Sequence, residues 1–497
     1  MATNIPSIKT LGDLLASSYK SRSVKDEMRE NLVELIKSGK PRFQGIHGFD
    51  DTVIPDLERA VLSRHNMILL GLRGQAKTRI ARLLIELLDE YIPAIDGVEL
   101  MDDPTCPISR EAMDIVEKMG DKTPIRWIHR QDRYTEKLAT PDVSVADLIG
   151  DVDPIKAANL KLSYSDERVI HFGLVPRAHR GLFVINELPD LQPRIQVSLF
   201  NILQEGDIQI RGFKLRLPLD IQFVFTANPE DYTNRGSIVT PLKDRIESQI
   251  LTHYPKDIET SRSITDQEAR LTEDQKSRVA LNDIAIDMIE QLALEARDSE
   301  YVDEKSGVSA RMTISAREIL VSSAERRALL NGENSTHIRV SDFWGVIPAM
   351  TGKVELVYEG EQEGPFIVAL NLLGKAIRSQ FINYFPDPEQ RKRNKESGDP
   401  YSKITDWFGD GNQLDILQDV DDATYRAALD EVPGLDEVIL EVEKTTPTAD
   451  KYFLKEFVLH GLAEYSLLSK GLLASGTRFG DLLSSMLSGE SVDEDIF

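Results

Sequence analysis

Short apolar runs alternate with helical stripes along the first half of the chain. Asn66–Gly71 is an apolar run that ends in glycine, and Ile125–His129, Gly181–Asn186 and Ile221–Thr226 are three more. Runs of this length bounded by turn signals read as buried strands. Between the first two lies Thr78–Tyr91, where Ile80, Leu83, Leu84, Leu87 and Leu88 recur at helical spacing. Strands separated by helical stretches predict an α/β fold, a parallel sheet with crossover helices. Ahead of it, Ser23 and Asp26 have the spacing of a capping box. The stripe Met28, Leu32, Leu35 and Ile36 follows, and Gly39 with Pro41 ends it.

Beyond residue 255 the strand pattern stops. Ile284, Met288, Leu292 and Ala293 share one helical face, and a second helix is expected from Ser315. Between Asp410 and Glu443 eleven acids meet one base, Arg426, with apolar residues still interleaved. That mixture predicts acidic helices rather than disorder. The expected division is an N-terminal helical arm (1–40), an α/β domain (41–255), a helical domain (256–340) and a mostly helical acidic extension (341–497).

The chain has 497 residues, 41% of them hydrophobic, and a net charge of −24. An acidic surface of this size repels phosphate backbones, so nucleic acid is not an expected partner. The short basic run Arg391–Lys395 lies between Glu389 and Glu396 and reads as a solvated loop. Cys106 is the only cysteine, which excludes an intrachain disulfide and fits a cytoplasmic protein. No window approaches 18 uninterrupted apolar residues, so no membrane span is expected.

Five segments carry candidate chemistry. Gly71-Leu72-Arg73-Gly74-Gln75-Ala76-Lys77-Thr78 follows a strand and opens a helix, the setting of a phosphate-binding loop. There Lys77 would neutralise phosphate and the Thr78 hydroxyl would reach Mg²⁺. Ala76 stands where the pattern has glycine. Leu182–Glu187 is an apolar strand ending in two polar residues. Glu187 is a candidate general base, while Asn186 offers an acceptor without charge. Asn228, before Pro229, ends the next strand and would position a lytic water. Arg245 is a candidate arginine finger, and Arg317 opens a later helix. Singly, each has a plainer reading: a strand–turn–helix, a capping acid, an Asx turn, a surface arginine, a helix start. Five in the order of one ATP site do not.

On these motifs, residues 42–330 resemble an AAA+ ATPase, and within that superfamily the magnesium-chelatase ATPase subunit and the MoxR group. The segment His171–Gly181 and the segment Gln196–Gly206 strengthen the likeness to that clade. The resemblance implies a P-loop parallel sheet flanked by helices and followed by a helical lid. It places ATP on Gly71, Gly74, Gln75, Ala76, Lys77, Thr78 and Arg79, and Mg²⁺ on Thr78 and Asn186, largely through water. It assigns catalysis to Glu187, Asn228, Arg245 and Arg317. It also implies a hairpin at Leu162–Phe172 and another about Arg211-Gly212. The expected function is a hexameric ring ATPase that remodels or loads a protein client carrying a von Willebrand factor A domain, as a chaperone would. The alternatives are the motor subunit of a tetrapyrrole metal chelatase and a nucleotide-gated scaffold with little turnover. The extension after 340 matches no part of a chelatase ATPase subunit.

Overall fold

The computed structural model describes residues 6–163, 166–210, 216–229, 237–304, 306–391, 399–446, 448–473 and 475–482. The chain divides into two compact units, Met1–His253 and Tyr254–Phe497.

The first unit is built on five strands: β1 (Met67–Leu70), β2 (Tyr134–Leu138), β3 (Gly181–Asn186), β4 (Ile221–Ala227) and β5 (Ser248–Leu251). Their order is β5-β1-β4-β3-β2, and every neighbouring pair is parallel. This is the expected α/β class. Strands β1, β3 and β4 are buried along their whole length, as their unbroken apolar runs require in a sheet covered on both faces. One expected strand moves. Ile125–His129 does not join this sheet but pairs antiparallel with Tyr91–Ile95 in a separate ribbon. The sheet takes Tyr134–Leu138 instead, an edge strand whose residues are half-buried or exposed. An edge strand tolerates polar residues, so it lacks the apolar run that marks the central ones.

Ser23 caps the helix Val24–Lys37 by accepting a hydrogen bond from the Asp26 N–H. Val24, Met28 and Leu32 share a core with Leu182, Val184 and Val224 of the sheet. The same helix is fastened by a buried ion pair. Arg133 donates from Nη1 and Nη2 to the two carboxylate oxygens of Glu27 at 2.7 and 2.6 Å. The Leu162–Phe172 hairpin is also revised. Ile170–Phe172 pairs antiparallel with Gly150–Val152, which lies upstream of that segment. The second hairpin pairs Asp207–Gln209 with Arg216–Pro218, and its tip, Arg211-Gly212, falls outside the described residues.

His179 lies buried in the turn before β3, and its Nδ1 accepts the Asp220 N–H at 3.1 Å. Burial, then the Arg180 charge, push its pKa from 6.5 down to about 4. The folded state therefore holds this ring neutral while the unfolded chain protonates it. The stabilisation is complete above pH 6.5 and is lost as pH falls through the window from 6.5 to about 4, up to about 3 kcal/mol. Urea unfolding of wild type and His179→Gln at pH 7.5 and 4.5 should show the larger acid loss in wild type.

The second unit is mainly helical, with Asp283–Arg297, Arg311–Leu330, Pro365–Tyr384 and Lys451–Glu464 its longest helices. One apolar core runs from Val279 to Phe479, so residues 256–340 and 341–497 share it. The acidic segment forms the helices Asp422–Asp430 and Leu435–Thr445. A three-stranded antiparallel sheet, Leu414–Leu417, Ser469–Leu473 and Gly476–Gly480, adds strands where the sequence suggested helices. Among the described residues no helix is long and apolar enough to cross a membrane.

Candidate functional site

The segment 71–78 connects β1 to the helix Lys77–Leu83. Gly74 (φ 74°) and Ala76 (φ 57°, ψ 13°) adopt left-handed conformations that turn the loop. Glycine takes this region freely and alanine at a cost of roughly 1–2 kcal/mol, so Ala76 keeps the expected turn with added strain. Gly71 has no room for a side chain: a Cβ there would lie 1.9 Å from Thr252 Oγ1 and 2.1 Å from Gln75 Oε1. Gln75 turns inward, its Oε1 accepting from Thr252 Oγ1 at 2.7 Å. Lys77 is buried, and its ammonium donates to the carbonyls of Gly71 and Leu72, the latter at 2.9 Å. Thr78 and Arg79 are half-buried in the first helical turn.

Two strands away, β3 ends at Asn186, and Glu187 follows with φ 54° and ψ 50°. A left-handed glutamate is strained, and such strain collects at functional sites. Thr226 on β4 joins the two residues. Its hydroxyl donates to Asn186 Oδ1 at 3.0 Å and accepts the Glu187 N–H at 3.2 Å. The Asn186 Nδ2 donates to Glu136 Oε1 of β2 at 2.6 Å. Only the N–H side of the amide can face a carboxylate, so this contact fixes which way the side chain points. Glu136 Oε2 in turn accepts from Arg82 Nε and from the Tyr134 hydroxyl, each at 3.0 Å. Glu136 and Thr226 were not singled out in the sequence. They lie 50 and 40 residues from Asn186, and only the strand order brings them to it.

Asn228 is buried just past β4, the strand between β1, which leads into the 71–76 loop, and β3, which ends before Glu187. Arg245 is engaged within its own unit. Its Nε and Nη2 donate to Gln204 Oε1 at 3.0 and 2.8 Å, its Nη1 to the Pro241 carbonyl at 2.7 Å, and it stacks over Phe200. In the second unit, Arg317 is buried in the helix Arg311–Leu330 and donates from Nη1 to Asp266. Its Nη2 lies 3.8 Å from Glu290 Oε1, and Nε and Nη2 find no hydrogen-bond acceptor among the described residues. Burial raises the pKa of Glu290.

No cluster of three His, Cys, Asp or Glu side chains that could hold a metal occurs among the described residues. Mg²⁺ does not need one. It is commonly held by substrate phosphates, water and one or two protein oxygens. The Thr78 hydroxyl, the Asn186 amide oxygen and the carboxylate of Glu187 are hard oxygen donors of that kind. The donor set fits Mg²⁺ carried in with a nucleotide.

Comparison with known proteins finds similarity over part of the chain. Residues 160–249 match the Sigma-54 interaction domain family. The chain is similar to the magnesium-chelatase 38 kDa subunit of Rhodobacter capsulatus, 25% identical over 197 residues, 39% of this chain and 50% of the relative. The corresponding subunit of Cereibacter sphaeroides is 26% identical over 198 residues, 39% of this chain and 53% of the relative. The chain thus spans about half the length of the curated relatives it matches. A cryo-EM-based complex of the magnesium-chelatase subunits BchI and BchD matches at 21% identity and a TM-score of 0.34, over 64% of this chain and 98% of that one.

Proposed function

We propose that the chain, similar over 197 residues to the magnesium-chelatase 38 kDa subunit, is an AAA+ ATPase that works as a ring-forming motor on a protein client. The supporting observation is the meeting of three elements at the carboxyl ends of adjacent strands. The phosphate loop follows β1, Asn228 follows β4 and Glu187 follows β3. Ligands of open α/β sheets bind at such edges.

In this reading Lys77 and the loop N–H groups hold the β- and γ-phosphates, and Thr78 and Asn186 face the magnesium ion. Bound there, Mg²⁺ would supply charge neutralisation to the phosphates. Glu187 orients the attacking water, with Asn228 beside it. Arg317 carries two buried N–H groups with unmet hydrogen-bonding capacity, a fitting reserve for a phosphate sensor. Arg245 serves the neighbouring subunit's nucleotide, which requires it to leave Gln204 and Pro241. The ring is hexameric and cytoplasmic, and its client carries a von Willebrand factor A domain. A chelatase motor is the second reading, favoured by the likeness to the 38 kDa subunits over half their length.

Glu187→Gln should retain ATP, lose turnover and assemble into a ring in ATP at micromolar concentration. Light scattering and phosphate release measure both. A variant that stays monomeric overturns the shared site, and one that still turns over removes Glu187 from catalysis.

A further inference from the structure

A neutral Asn186 leaves the end of β3 without the charge that an acid would place beside a metal–phosphate complex. The neighbouring strand carries a charge at that spot. Glu136 Oε1 lies 2.6 Å from Asn186 Nδ2, and its side chain is 23% exposed. We propose that Glu136 supplies from β2 the negative charge that Asn186 lacks, and that the two act as one unit in positioning the magnesium ion of bound MgATP. The proposal rests on the nucleotide-site reading above.

Three features support it. The hydrogen bond to Glu136 and that from Thr226 orient the Asn186 amide with Nδ2 toward β2 and Oδ1 toward β4. Its oxygen keeps a second lone pair, able to accept from a metal-bound water. Glu136 is a positioning residue in this arrangement, acting through the amide. Next, an aspartate at 186 would set two acceptor carboxylates against each other at hydrogen-bonding distance, with no N–H between them. Asparagine at 186 and glutamate at 136 are therefore complementary. Finally, the arginine on Glu136 does not cancel its charge in a buried setting. Arg82 is 62% exposed, and an ion pair so open to solvent is weak and screened.

The test is titration of the full-length protein with a fluorescent ATP analogue, in excess Mg²⁺ and again in EDTA, with thermal unfolding of each variant alongside. Glu136→Gln keeps the size of the side chain and an oxygen for Asn186. It should leave the EDTA affinity near wild type and reduce the Mg²⁺-dependent gain in affinity roughly 10–100-fold, the effect typical of outer-shell metal partners. Asn186→Asp alone should bring no increase in that gain, because it loses the Nδ2 donor that holds Glu136 and sets two carboxylates against each other. The double exchange Glu136→Gln/Asn186→Asp moves the charge to position 186 with an amide donor beside it, and should restore most of the gain.

A purely structural link between the strands would lower both affinities together and would not be rescued by the exchange. An unchanged Mg²⁺-dependent gain in Glu136→Gln overturns the proposal. So does an Asn186→Asp variant that binds MgATP more tightly than wild type. If wild type fails to bind the analogue in Mg²⁺, the nucleotide-site reading itself falls and takes the proposal with it.

Discussion

Glu27→Ala will destabilise the first unit by about 3–5 kcal/mol, the usual consequence of removing one partner from a buried ion pair. Arg133 is 1% exposed and Glu27 4%, and the guanidinium meets the carboxylate through two parallel hydrogen bonds. Without Glu27 the guanidinium stays buried, with the Arg180 carbonyl at 2.9 Å as its remaining acceptor. The Asp89 N–H, which donates to Glu27 Oε1 at 2.7 Å, also loses its acceptor. The loss is a large share of the roughly 5–15 kcal/mol that holds a typical domain together. Replacing both partners, as Glu27→Leu with Arg133→Met, should recover most of it, because apolar side chains of similar volume leave no charge to solvate. Urea midpoints of the single and double variants measure the difference. Equal losses in both would mean that packing rather than charge makes the contact.

Lys77→Ala will weaken ATP binding about 100-fold, corresponding to about 3 kcal/mol for lost charge-assisted hydrogen bonds. The ammonium rests on the carbonyls of Gly71 and Leu72, which are neutral acceptors. Phosphate oxygens are charged, and hydrogen bonds to them are roughly twice as strong. Nucleotide binding then adds charged acceptors within reach of the lysine. The fold should be little affected, since both carbonyls lie in a loop that water can reach after truncation. Calorimetric titration with ATP measures the affinity, and an undiminished value would place the phosphates elsewhere.

Local structure encoded in consecutive residues is legible in the sequence alone. The phosphate loop, the end of β3 and the Ser23 cap are each encoded within about eight positions, the range over which turn and capping rules act. The central strands were legible because burial on both faces leaves an unbroken apolar run. Tyr134–Leu138 was not, because its threonine, glutamate and lysine give an edge strand no such run. Ser469–Leu473 carries serine, lysine and glycine for a related reason: it is an outer strand whose residues are half-buried or exposed. The pairing of Asn186 with Glu136 belongs to a further class. It depends on which strand neighbours β3 and in what register, and neither is written in local spacing. Asn186 alone reads as a deficit. Beside Glu136 it is half of a pair.

The core from Val279 to Phe479 has a consequence for how the chain can be cut. A fragment ending near residue 340 would keep Ile284, Met288 and Leu292 and lose Leu372, Phe381 and Phe457, which belong to the same cluster. It would present a broad apolar face to water, and such faces aggregate. The two segments on either side of residue 340 therefore depend on each other for burial, and a cut between them exposes apolar surface on both.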